Sequence, residues 1–160
     1  MSTERLEDQI YRFAQAVESF AACIDALGEK SFLVKLNGWS ARDILAHLIG
    51  WNRHVIEGSK QIQRGELPFY DIDPGENYSN VNAALVRQYD SNSGQVLLDQ
   101  LETTARELKE YLRGLDAATW ARDFGVRHDG SRVTISETVD ELIKDYDHHR
   151  RQIEDWARSR

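Results

Sequence analysis

Three side chains in this 160-residue chain are of the types that bind metals or move protons, at spacings a helix can use: His47, Asp145 and His149. Asp145 and His149 are four residues apart, so on a helix they share one flank, with Gln152 and Trp156 continuing it. Two imidazoles and a carboxylate from facing helices could form a three-ligand site with positions left for water or substrate. In the other reading, Asp145 and His149 pair on the helix surface while His47 is hydrogen-bonded within the core. His148 falls further out and reads as solvated. Trp51 lies one turn after His47 and His54 two turns after it.

Other chemistries have less support. No serine stands in a nucleophile-elbow context. No glycine-rich loop follows a strand, so nucleotide phosphate binding has no basis. Glu102, Glu107 and Glu110 read as a solvated helix face. The single cysteine, Cys23, excludes an internal disulfide, fits a reducing compartment and reads as a small apolar filler.

His47 belongs to the stretch GWSARDILAHLIGWN, residues 38–52. Ser40 followed by Asp43 resembles a capping box, in which the hydroxyl takes an orphan N–H and the carboxylate reaches back. Ile44, Leu45, Leu48, Asn52, Val55, Ile56, Ser59 and Ile62 then recur at helical spacing. They predict a second helix from about Ala41 to Arg64, ended by Gly65. A first helix is predicted over about Thr3 to Leu27, from the seam Leu6, Ile10, Phe13, Val17, Phe20, Ile24 and Leu27, with Gly28 as C-cap. The connection from Glu29 to Trp39 holds a turn at Asn37-Gly38.

Glu66 to Ser79 reads as a loop with both prolines, Pro68 and Pro74, and with Phe69, Tyr70, Asp71, Asp73 and Tyr78. It is either a binding lid or a plug for one end of the core. A short helix is expected at about Val81 to Tyr89 and a third long one at about Gln95 to Arg113. Asp116 caps a single turn through Trp120, and 122–132 is a polar connection with a small hairpin around Asp129-Gly130. Thr134 and Glu137 form a capping box for a fourth helix, about Ile135 to Ala157, with core positions Ile135, Val139, Leu142, Ile143, Tyr146 and Ile153. Four long amphipathic helices predict an all-α four-helix bundle. It is expected to be one domain, residues 1–160, with a long loop between the second and third main helices.

Hydrophobic residues make up 41% and charged residues 29%, the proportions of a soluble globular chain. The net charge of −7 and the lack of a dense basic stripe predict no nucleic-acid partner. No apolar run approaches the roughly 20 residues of a membrane span, so no membrane partner is expected. The N-terminal MSTERLEDQI does not read as a signal peptide, and a cytoplasmic protein is expected.

The run Trp39-Ser40-x-Arg42-Asp43-x-x-Ala46-His47-Leu48-x-x-Trp51, with Tyr146-x-x-His149 and Ile153 later, resembles the DinB-like superfamily, nearest its ClbS/DfsB-type four-helix bundle proteins. The resemblance runs through nearly the whole chain and implies up-up-down-down connections and a homodimer. It also implies a divalent metal, such as zinc or nickel, on three histidines: one at His47 and two on the fourth helix, four residues apart. Those two positions are Asp145 and His149 here, so a carboxylate replaces one imidazole and changes the site's charge and selectivity.

Three functions follow as expectations. The first is a ClbS/DfsB-like hydrolase that opens an electrophilic, cyclopropane-type compound in self-protection, with His47, Asp145 and His149 catalytic and metal-ligating. Trp51, Phe69, Tyr70, Tyr146 and Trp156 would bind the small-molecule substrate. The second is a metal-dependent thiol transferase, in which the metal lowers the pKa of a bound thiol. The third is a non-catalytic small-molecule binding protein.

Overall fold

The computed structural model describes residues 2–160. Met1, part of the N-terminal stretch discussed above, lies outside the described residues. Four long helices carry the fold: α1 (Ser2–Leu27), α3 (Ala41–Gln63), α5 (Gly94–Arg113) and α7 (Ile135–Arg158). Between them stand three short helices, α2 (Glu29–Phe32), α4 (Ser79–Gln88) and α6 (Ala117–Ala121). A two-stranded antiparallel hairpin, β1 (Arg127–His128) and β2 (Ser131–Arg132), precedes α7. This is the all-α bundle that the periodicity predicts.

α1 and α3 each pack against both α5 and α7. The inward stripes meet as expected: Phe13, Phe20, Ile44, Leu48, Leu97, Leu108, Val139 and Tyr146 are all fully buried. Among the described residues no helix is long and apolar enough to cross a membrane.

The connection between α3 and α5 is more ordered than a loop. Two 3-10 turns, Phe69–Asp71 and Glu76–Tyr78, lead into α4, which begins two residues earlier than its sequence pattern suggests. α4 lies flat on α3 because Gly50 has no side chain: a Cβ there would collide with Leu85. The buried Arg42 guanidinium holds the other end of α4, donating to the carbonyls of Tyr89 (2.7 Å) and Ser91 (2.9 Å).

The two expected capping boxes come out the other way round. Ser40 Oγ accepts from the Asp43 N–H, and Asp43 Oδ2 accepts from the Ser40 N–H, so that box is complete. Thr134 accepts from the Glu137 N–H, but the Glu137 carboxylate turns away to Arg132 at 2.6 Å. A nearby guanidinium is a stronger partner for a carboxylate than one backbone N–H. The segment between Glu29 and Trp39 also contains a turn of helix, α2, that buries Phe32.

Candidate functional site

The completed cap at Ser40 sets the start of α3, and His47 follows two turns in, with 4% of its surface exposed. The stripe of α7 packs against α3 and brings Asp145 opposite it. His47 Nε2 lies 2.9 Å from Asp145 Oδ2, and His149 Nε2 lies 3.3 Å from Asp145 Oδ1. One ligand atom from each of the three residues fits within 4.8 Å of the others.

The outer nitrogens are held as well. His47 Nδ1 lies 3.0 Å from Asn82 Oδ1, on α4, and the Trp51 indole N–H donates to that same oxygen at 2.7 Å. His149 Nδ1 lies 3.0 Å from Gln152 Oε1. Both imidazoles therefore turn Nε2 inward to the carboxylate and Nδ1 outward to an amide oxygen.

Burial alone would favour the neutral form of Asp145, but the hydrogen bonds from His149 and His47 outweigh it and hold the carboxyl well below the usual carboxylate range. Burial likewise disfavours a charged His149, yet the hydrogen bond and charge of Asp145 overcome it and raise that imidazole's pKa. The cluster is thus built to keep a carboxylate ionised between two groups able to carry positive charge.

The three residues line a cleft of about 1060 Å³. Trp39, Trp51, Tyr70 and Tyr78 line it too, alongside charged residues that include Arg132, Glu137, Glu141 and Lys144. Trp39 sits over the two imidazoles, 5.2 Å from the His47 ring and 6.5 Å from that of His149. Trp51 meets Tyr70 and Tyr78 edge-on at 4.9 and 5.5 Å. Tyr78 donates its hydroxyl to the buried Asp71 carboxylate, with His128 3.7 Å from the same oxygen. Asn77 and Tyr78 deliver this ring through two successive left-handed backbone conformations (φ 51° and 60°), which are costly for residues other than glycine.

Of the other residues singled out in the sequence, Trp51 and Tyr70 line the cleft, and three do not. Phe69 is 40% exposed and packs on His54, whose own imidazole pKa is lowered by burial. Tyr146 points into the core, where it donates to Asn52 Oδ1 at 2.7 Å and meets Phe13 and Phe20 edge-on. Its inward position in the α7 stripe decides this. Trp156 lies beyond the cleft toward the end of α7 and stacks under the Arg160 guanidinium at 4.4 Å. His148 is exposed, as expected, at the cleft rim.

Sequence reasoning passed over Trp39, Asp71, Tyr78, Asn82 and His128 as site residues. A signal existed for Asn82. It shares a helix face with Leu85 and Tyr89, at spacings of three and seven, and is the polar member of that otherwise buried face.

The family model described as DinB superfamily matches residues 3–153. A Pup–protein ligase from Brachybacterium faecium is 31% identical over 78% of this chain, and the chain spans 28% of that ligase's length. Among solved structures, the colibactin self-resistance protein ClbS in complex with double-stranded DNA superposes with a TM-score of 0.77 at 14% identity, covering 94% of this chain and 93% of that one. The mycothiol-dependent maleylpyruvate isomerase superposes at 0.72 with 18% identity, covering 92% of this chain and 60% of the isomerase. An uncharacterised protein from Escherichia coli UTI89 follows at 0.67 and 18%, covering 96% and 91%. At these identities the structures share the fold.

The ClbS complex corrects one expectation. The charge of −7 predicts no nucleic-acid partner, yet a protein of this fold is seen with a DNA duplex. Net charge averages over a whole surface, whereas phosphate contacts depend on where the basic groups lie.

Proposed function

This chain belongs to the DinB superfamily, and from that premise we propose that its cleft binds a reactive small molecule on which His47, Asp145 and His149 act, in the manner of a ClbS-like hydrolase. One observation carries this reading: three ligating groups converge in the wall of a cleft that Trp39, Trp51, Tyr70 and Tyr78 also line, with both imidazoles turned inward by outer hydrogen bonds.

The three residues fit a divalent metal. Imidazole nitrogens and one carboxylate oxygen suit zinc or nickel. Ligating histidines need their second nitrogen fixed by an acceptor, and Asn82 and Gln152 fill that place. A divalent cation held there would supply Lewis acidity.

The chain's own residues do the rest. Trp39, Trp51 and Tyr70 hold the apolar body of the ligand and exclude bulk water. In the hydrolase reading, water adds to an electrophilic ring carbon. The strained C–C bond breaks, and its electron pair moves onto the conjugated acceptor. A cluster imidazole passes the proton lost by water to that carbanion. A cytoplasmic setting accompanies this reading: Cys23 is a free, buried thiol whose pKa burial pushes up to about 11.

The test pairs metal analysis with turnover of an activated cyclopropane, for the wild type and His149→Ala. Stoichiometric metal and ring opening, both lost in the variant, are expected. Turnover only with an added low-molecular-weight thiol would replace hydrolysis by thiol transfer. A protein inert toward the cyclopropane, with metal content indifferent to His149, would overturn the reading. A DNA duplex belongs in the same ligand panel, because the ClbS structure contains one.

A further inference from the structure

The orientation of the Asn82 amide is decided by chemistry. The Trp51 indole nitrogen can only donate, so the group 2.7 Å from it must be the amide oxygen. That same oxygen lies 3.0 Å from His47 Nδ1, which must therefore carry a proton to be satisfied. Nε2 is the nitrogen that faces the Asp145 carboxylate, which only accepts, so without a metal Nε2 donates there, and it is this second proton that a metal would displace.

We propose that Asn82 is the positioning residue of the cluster: locked by Trp51, its amide oxygen holds the proton on His47 Nδ1 and so commits Nε2 to the ligand side. The consequence for metal uptake rests on the function proposed above; the assignment of the proton does not.

The fold is arranged to place this one oxygen. α4 lies outside the four long helices, yet it is seated closely on α3 by Leu85 against Gly50 and by Arg42 at its far end. Asn82 stands one turn before Leu85 on that face. A leucine at position 82 would fill similar space and offer no acceptor. An aspartate would accept from both the Trp51 and His47 N–H groups, as the amide oxygen does. This pair of variants separates the hydrogen bond from the packing.

The experiment uses the full chain as wild type, Asn82→Asp, Asn82→Leu and Trp51→Phe, each checked for helix content by circular dichroism. Nitrogen-15 NMR of the histidine rings, on metal-free protein, reads which His47 nitrogen carries hydrogen. Competition with a chromophoric chelator reads zinc affinity. The wild type and Asn82→Asp should show a protonated His47 Nδ1. Asn82→Leu should lose the Nδ1 proton, keeping only the Nε2 hydrogen that faces Asp145, and bind zinc about 10- to 100-fold more weakly, with Asn82→Asp staying near wild type. Trp51→Phe frees the amide to turn and should fall between them. A folded Asn82→Leu protein that keeps the Nδ1 proton would overturn the inference. If the wild type takes up no zinc, the metal reading fails, and the NMR result alone still decides the role of Asn82.

Discussion

His47 Nε2 and Asp145 Oδ2 lie 2.9 Å apart, although 98 residues of chain separate them. The contact joins α3 to α7 where the same carboxylate also reaches a second imidazole, that of His149.

Asp145→Asn keeps the shape of the side chain and removes its charge. Uptake of a divalent metal should then fall by at least about tenfold, because a neutral amide is a much weaker ligand than a carboxylate. Equilibrium dialysis of the two proteins against zinc checks this. Equal uptake would remove Asp145 from the ligand set.

The pH dependence of stability follows from the same pair. The His149 pKa is raised on folding, so its contribution is full below its unfolded value of about 6.5 and is lost as pH rises through the folded value. The Asp145 pKa is depressed, so its contribution is full above about 3.9 and is lost as pH falls toward the folded value. The His149–Asp145 contact is common to both shifts, and His47 adds to that of Asp145. Because the Asp145 side chain is 36% exposed, solvent screening limits the gain to about 1 kcal/mol. Thermal melts with chelator present should show the wild type gaining on His149→Gln at pH 5.5 relative to pH 9. Parallel curves would contradict the pairing.

Tyr146 and Trp51 should separate stability from binding. Tyr146→Phe leaves the Asn52 carbonyl buried without its donor, at a cost of about 1–3 kcal/mol in urea unfolding. Ligand affinity should hardly change, since that hydroxyl points away from the cleft. Trp51→Ala should lower ligand affinity at least about tenfold, as it removes a wall and the lock on Asn82. Loss of binding in Tyr146→Phe at full stability would restore Tyr146 as a binding residue.

Gly50→Ala tests how α4 is seated. The added Cβ would strike Leu85, so α4 must shift outward, at about 1–3 kcal/mol. The Asn82 to His47 hydrogen bond should lengthen with it, and zinc affinity should fall along with stability. A protein destabilised to that degree with unchanged zinc affinity would uncouple α4 from the cluster.

Much of this fold is legible in the residues themselves. The seam from Leu6 to Ile24 and the stripe from Ile44 to Ile62 repeat at helical spacing, and such repetition is local. Asp145 and His149 share a flank for the same reason: four residues along a helix return to the same side. The caps show the limit. Ser40 and Thr134 both begin helices as their sequences indicate, but whether the acidic residue three positions on completes the box depends on what else is in reach. For Glu137 that is Arg132.

The residues alone therefore determined four helices, their buried faces, the pairing of Asp145 with His149 and a superfamily motif around His47. Tertiary packing decided that His47 meets that pair, that Tyr146 turns into the core and that Trp156 stays outside the cleft. It also brought Asn82 and Trp39 to the imidazoles. Periodicity says which face of a helix is buried, because that is a property of one helix. It does not say which residues of two buried faces lie opposite each other, because that depends on the register and angle at which whole helices pack.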